Sequence, residues 1–199
     1  MGIFVIDDQP LMRDAIARLI LRIQPSANII QLGRLAAVAT AAREHGAPSL
    51  VSLDLKLPDN VGVAVVAELK QLFPQAHLVV LSAAPATDFE QACIDAGAEI
   101  YIQKSAGATE ISSILHLFLQ QDLDPATGDA TTAAPAEKLS KRQKQLLIML
   151  DKGMSNRDIA MALAISEHTV KVHLWRLFKR LNVKSRSQAS HLARTHDLV

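Results

Sequence analysis

Cysteine is almost missing from this chain of 199 residues: Cys93 stands alone, which excludes a disulfide framework and a cysteine-based zinc site. Long apolar runs are missing too. No stretch approaches the roughly 18 consecutive apolar residues of a membrane-spanning helix, although 49% of residues are hydrophobic. The opening MGIFVIDDQP has neither the charged start nor the small-residue cleavage site of a secretory signal. Gly2 follows Met1, but Ile6 stands where the myristoylation pattern requires Ser or Thr. The expectation is a cytoplasmic protein with no membrane partner. Basic residues are absent from one stretch: residues 122–137 hold 4 Asp/Glu and no Lys/Arg, a net of −4.

That gap divides two pieces of opposite charge. Residues 1–121 hold 8 Lys/Arg against 12 Asp/Glu, a net of −4, whereas residues 138–199 hold 13 against 4, a net of +9. Such a basic tail points to a polyanion, nucleic acid above all. The bland alternative is a solvated basic face.

Within residues 1–121, short apolar runs alternate with helical patterns. The runs are Ile3–Ile6, Ile29–Leu32, Leu50–Leu53, Leu78–Leu81 and Ile100–Ile102. Between and after them come a helix from Pro10 with Leu11, Ala15, Leu19 and Ile23 at helical spacing, and an Ala-rich helix over Ala36–Arg43. Further helices are expected at Val61–Phe73 with Val65, Leu69 and Leu72 on one face, at Asp88–Ala96, and at Glu110–Gln121 with Ile111, Ile114, Leu115 and Phe118 inward. Five repeats of strand then helix predict a doubly wound five-stranded parallel sheet. Right-handed crossovers then place every strand's carboxyl end on one rim. Asp7 and Asp8, Asp54, Ser82 and Lys104 follow the first, third, fourth and fifth strands and can converge there. Each also has an ordinary reading: a turn acid, an N-cap serine, a surface lysine.

The convergence permits specific chemistry. Asp7, Asp8 and Asp54 supply hard oxygen ligands suited to Mg2+. Asp54 can act as a nucleophile and form an aspartyl phosphate. Lys104 would neutralise phosphoryl oxygens, and the Ser82 hydroxyl could reach one of them. Ala83 leaves room for the group.

Residues 122–137, DLDPATGDATTAAPAE, read as a flexible acidic linker. Beyond it the pattern is helical throughout. Ser140 and Gln143 form a capping box for a helix to Leu150, and Ser155 with Asp158 suggests a second. A tight turn at Ala164–Ile165 leads to Ser166, an N-cap for a long helix through Leu181, and Ser187–Arg194 makes a fourth helix. This is a helix-turn-helix pattern in a basic unit. On the long helix Val170, Leu174, Leu177 and Leu181 form a core stripe. His168, Val172, Trp175 and Lys179 lie on the opposite side, with Lys171 and Arg176 flanking, and this face would enter a major groove. Trp175, about 130° from the core stripe, is expected to be exposed. His173 flanks the stripe, in a packing or phosphate-holding role.

Residues 1–121 resemble the receiver domain of two-component response regulators, on Asp7-Asp8, Asp54 with Pro58, Ser82-Ala83 and Lys104. Residues 138–199 resemble the LuxR-type helix-turn-helix of the NarL/FixJ subfamily, on LSKRQKQLL, GMSNRDIA and ISEHTVKVHLWRLFKRLNVKSRSQA. Gln143 stands where that family usually carries a glutamate. The resemblance implies Asp54 as phosphoacceptor, Asp7 and Asp8 as the Mg2+ pocket, Ser82 as the switch hydroxyl, Lys104 as the phosphate-binding cation and Tyr101 as the rotating aromatic. Without the resemblance, Tyr101 is an ordinary strand aromatic. It implies a transcriptional regulator rather than an enzyme, with a sensor histidine kinase and double-stranded promoter DNA as partners. RNA polymerase is a further candidate partner, and a homodimer is expected on phosphorylation.

Three rivals share parts of the pattern. A phosphohydrolase using Asp54 as nucleophile would want a second carboxylate two residues on, where Lys56 stands. A degenerate receiver acting by protein contact alone would not need the acids and Lys104. A small-molecule-sensing regulator would share the tail but not the acidic pocket.

Overall fold

A computed structural model describes residues 2–119, 139–183 and 185–195. The described residues divide into two compact units, one within residues 1–119 and one within 120–199. The stretch expected to be a linker, 122–137, lies outside the described residues.

The first unit runs β1 (Gly2–Ile6), α1 (Pro10–Ile23), β2 (Asn28–Leu32), α2 (Val38–His45), β3 (Leu50–Leu53), β4 (Lys56–Leu57), β5 (Asn60–Val61), α3 (Ala64–Leu72), β6 (His77–Ser82), α4 (Ala86–Asp95), β7 (Ile100–Gln103) and α5 (Ala108–Leu119). The five long strands form one parallel sheet in the order β2-β1-β3-β6-β7. The chain therefore leaves β1 toward one edge and returns beyond it to β3, which makes the carboxyl ends of these two strands a topological switch point.

Side chains alternate across the strands. Phe4, Ile6, Val51, Leu53, Leu78, Val80 and Tyr101 join one core with Val38 and Ala41 of α2, Val65, Val66 and Leu69 of α3, and Cys93 of α4. The alternate residues Ile3, Val5, Leu50, Val79, Leu81, Ile100 and Ile102 are buried as well. On that side α1 and α5 pack together, and the Phe118 ring of α5 lies 5.6 Å from the His77 ring.

Several expectations shift. The Ala-rich helix begins as a 3-10 turn, Leu35–Ala37, before α2. The helix expected from Val61 starts at Ala64, because Asn60–Val61 pairs antiparallel with Lys56–Leu57 in a hairpin turned by Pro58-Asp59. On α1 the buried row is Ile16, Ala17 and Ile20, and Leu11 of the other apolar row is 85% exposed. An apolar helix has room for two rows, and only the one facing the sheet is covered. On α3 the inward residues are Val65, Val66 and Leu69, and Leu72 at the helix end is exposed.

In the second unit the helices are α6 (Lys141–Asp151), α7 (Asn156–Leu163), α8 (Glu167–Leu181) and α9 (Arg186–Thr195). Both expected capping boxes form. Ser140 accepts from the Gln143 N–H while Gln143 accepts from the Ser140 N–H, and Ser155 with Asp158 does the same. Ser166 caps α8 by accepting from the Thr169 N–H. The turn from α7 into α8 needs a left-handed residue, and Ala164 adopts φ 51°. Val170, Leu174, Leu177 and Leu181 of α8 meet Leu146, Leu147 and Leu150 of α6, Ile159 of α7 and Ala189 of α9 in one core. The Arg186 guanidinium donates to the carbonyls of Leu150 and Met154, tying α9 to the end of α6.

Candidate functional site: an acidic pocket at the sheet rim

The pocket forms at the switch point because β1 and β3 are neighbours in register, with Ile6 opposite Leu53. One residue further, Asp7 and Asp54 stand side by side, and the Asp54 N–H donates to the Ile6 carbonyl at 2.8 Å. Asp7 and Asp54 are buried, 4% and 2% exposed, whereas Asp8 is exposed. One carboxylate oxygen from each of the three lies within 4.8 Å of the others.

Lys104 arrives from the end of β7, and its N–H donates to the Ser82 carbonyl at 2.8 Å. Its ammonium donates to Asp54 Oδ2 at 2.6 Å and to Asp7 Oδ2 at 2.8 Å. One lysine thus bridges the carboxylates of two strands, from a position 50 residues beyond Asp54.

The electrostatics are those of crowded like charges. Burial pushes the Asp7 carboxyl above the ordinary carboxylate value. Lys104 and the Gln9 N–H offset this only in part, and the Asp54 charge adds to it. Burial would lower Lys104, but Asp54 and Asp7 outweigh it and hold the ammonium above its ordinary value. Three carboxylates beside one bridging ammonium leave excess negative charge, and all the donors are hard oxygens. This donor set fits a divalent cation such as Mg2+.

Ser82, the last residue of β6, is buried, and its Oγ accepts from the Ala84 N–H at 3.3 Å. Tyr101 is fully buried and turned inward. Its hydroxyl donates to the Ala84 carbonyl at 2.8 Å, and the Gln103 amide donates to the same carbonyl at 3.4 Å. Burial raises the Tyr101 hydroxyl above its ordinary value, with Ser82 partly offsetting. Ser82 and Tyr101 therefore share the backbone of Ala84. Sequence reasoning missed Gln103, Arg13 and Asp59. Arg13 Nη1 donates to the Asp7 carbonyl at 2.5 Å. Asp59 accepts from the Leu35 and Ala36 N–H groups.

In the tail the expected groove-facing residues separate. Lys179 is exposed, and its ammonium lies 5.1 Å from the centre of the Trp175 ring. His168, Lys171, Trp175 and Arg176 are half-buried, and Val172 is fully buried. The expectation of an exposed Trp175 is corrected: Lys179, one turn on, covers part of the ring. Val172 is buried although it lies off the core stripe, and solvent does not reach it. His173 is held near pKa 4 by burial, Arg176 and Arg142. It is neutral at pH 7, which suits packing.

Comparison with known proteins matches both units. The model of the response regulator receiver domain covers residues 3–116. That match decides the family. This chain is a two-component response regulator. The model of bacterial regulatory proteins of the luxR family covers residues 137–193 of this response regulator. The nitrate/nitrite response regulator protein NarL of Escherichia coli K12 is 26% identical over 200 residues, covering 94% of this chain and 92% of NarL. The response regulator protein VraR of Staphylococcus aureus is 27% identical over 205 residues, covering 99% and 98%. The structure of the RcsB response regulator of Salmonella typhimurium matches with TM-score 0.54 at 17% identity, covering 98% of each chain, which supports the fold. Among the described residues no helix is long and apolar enough to cross a membrane.

Proposed function

We propose that Asp54 is the phosphoacceptor of this response regulator, that Asp7, Asp8 and Asp54 hold Mg2+, and that phosphorylation controls promoter binding by the tail. The observation that carries the reading is the Lys104 ammonium bridging Asp54 and Asp7. A carboxylate buried beside a cation at a sheet switch point is placed for phosphoryl transfer.

In the proposed transfer, an Asp54 carboxylate oxygen attacks the phosphorus of a phosphohistidine on a sensor kinase. The O–P bond forms as the P–N bond breaks, and the kinase histidine leaves with the electron pair. Lys104 moves its ammonium from the carboxylates to the transferred oxygens, which it neutralises in a site shielded from water. Bound Mg2+ would supply charge neutralisation at the same oxygens. The Ser82 hydroxyl turns toward the phosphoryl group, which withdraws the acceptor from the Ala84 N–H. That loosens the loop whose carbonyl holds Tyr101, and the change is passed on to the receiver surface.

For the tail, α7 and α8 form the helix-turn-helix, with His168, Lys171, Trp175, Arg176 and Lys179 toward double-stranded promoter DNA in the cytoplasm. Val172, buried as it stands, would join them only after a rearrangement. A phosphorylated homodimer reading paired half-sites suits this module, and RNA polymerase is the partner through which it would act. RcsB of Salmonella enterica has been seen bound to a promoter in the presence of a phosphate mimic.

Incubation with acetyl phosphate and Mg2+ tests the phosphoacceptor. Wild type should be labelled and Asp54→Asn should not, with an unchanged fold by circular dichroism. Equal labelling of the variant would remove Asp54 from the role.

A further inference from the structure

Two arms carry the acidic pocket, and both rest on the connection between β2 and α2. The first arm is the turn after β1, which carries Asp7 and Asp8. Arg13, one turn into α1, donates from Nη1 to the Asp7 carbonyl at 2.5 Å. Its guanidinium also lies against Gly33, where a Cβ would meet Nη1 at 3.4 Å. The second arm is the β4–β5 hairpin, which leaves β3 directly after Asp54. At its root the Lys56 N–H donates to Asp54 Oδ1 at 3.3 Å, and the Gly62 N–H donates to the Leu55 carbonyl at 3.2 Å. At its tip Asp59 Oδ1 accepts from the Leu35 N–H at 3.0 Å and Oδ2 from the Ala36 N–H at 2.8 Å.

Those two N–H groups open the Leu35–Ala37 turn, where a helical segment leaves its first donors without internal partners. The residue in the capping position, Arg34, contributes no side-chain bond. Asp59 fills that role from 23 and 24 residues away. The Ala36 and Leu35 N–H groups hold its carboxyl below the ordinary value, so it stays charged at neutral pH.

We infer that Asp59 is a positioning residue for the acidic pocket: it pins the hairpin tip to the β2–α2 connection, against which Arg13 also holds the Asp7 arm. This inference rests on the phosphoacceptor reading of Asp54. The three carboxylates repel one another, and repulsion at this range splays any arm whose backbone is free to move. With both arms fixed to one connection, the oxygens keep the spacing a divalent cation needs. Asp59 touches neither the cation nor the phosphoryl group, so its effect passes through the hairpin.

The test uses the full chain as wild type, Asp59→Ala and Asp59→Asn. Amide hydrogen exchange without metal is followed at Leu35, Ala36, Lys56 and Gly62 and at core amides of β1 and β3. In Asp59→Ala, exchange at all four rim amides should rise about tenfold, with the core amides unchanged. In acetyl phosphate labelling, the Mg2+ concentration giving half the maximal rate should rise about tenfold, with the maximal rate nearly kept. Asp59→Asn retains one acceptor oxygen and should recover at least part of both effects. Faster exchange at Leu35 and Ala36 alone, with unchanged Mg2+ dependence, would make Asp59 a helix cap only and overturn the inference. A general rise in exchange that includes the core amides would overturn it too, as a merely structural role. Absence of labelling in wild type would instead remove the phosphoacceptor reading, while the exchange data would still judge the brace.

Discussion

Replacing Glu99 by Gln should destabilise the receiver by about 2–3 kcal/mol at pH 7. Glu99 lies just before β7, at the end of the sheet remote from Asp54, and its side chain is 7% exposed. Oε2 accepts from the Leu78 N–H at 2.5 Å and Oε1 from the Lys70 ammonium at 3.0 Å, with His77 Nδ1 at 3.7 Å. Lys70 also donates to the Ala76 carbonyl at 2.7 Å, and its stem crosses Gly97 so closely that a Cβ there would meet Cγ at 2.8 Å. The amide of Gln offers one acceptor where the carboxylate offers two, and it turns a donor toward donors. Removing one partner of a buried pair costs about 3–5 kcal/mol, and a charged hydrogen bond contributes about 1.5–3. Lys70, 24% exposed, can still reach water and Ala76, which places the loss at the low end. For a unit of this size that is a fall of roughly 6–12 °C in the unfolding midpoint. The pH dependence has a definite sign. Burial alone would raise the Glu99 carboxyl, but His77, the Leu78 N–H and Lys70 outweigh it and hold it below its ordinary 4.5. A depressed carboxyl stabilises the fold above that value, and the contribution is lost as pH falls below it. Urea unfolding of wild type and Glu99→Gln at pH 7 and at stepwise lower pH should show a gap that narrows below about 4.5. A gap under about 0.5 kcal/mol at pH 7, or one that does not narrow in acid, would refute the reasoning.

The acidic pocket should show the opposite sign. Because Asp7 is raised above its ordinary value, its ionised form works against folding, and metal-free Asp7→Asn should melt above wild type at pH 7.5, the gap closing as pH falls. A lower midpoint for the variant would mean that its bond to Lys104 outweighs the crowding. In the tail, Ser140→Ala and Ser155→Ala should each cost about 1 kcal/mol in chemical unfolding, since both lose a formed capping box. Ala164→Gly should raise the stability of the tail by about 0.5–1 kcal/mol by the same measurement, because a left-handed φ of 51° strains a residue with a Cβ.

Local patterns carried much of this protein by themselves. Alternating strand and helix periods predict a parallel sheet, and a parallel sheet puts Asp7, Asp54, Ser82 and Lys104 on one rim before any coordinate is known. The caps at Ser140, Ser155 and Ser166 and the core stripe of α8 were legible for the same reason: each depends on residues three or four apart. Tertiary structure decided what depends on neighbours distant in the chain. The strand order β2-β1-β3-β6-β7 brings the ends of β1 and β3 together, and only then can Lys104 bridge two carboxylates. The bonds from Leu35 and Ala36 to Asp59 and the Glu99 cluster span 21 to 29 residues and leave no periodic trace. On α8 the helical angle separates the stripe from the opposite side, but it does not say that Val172 will be buried or Trp175 partly covered. Burial is a property of the packed neighbourhood, and periodicity records only the direction in which a side chain leaves its own helix.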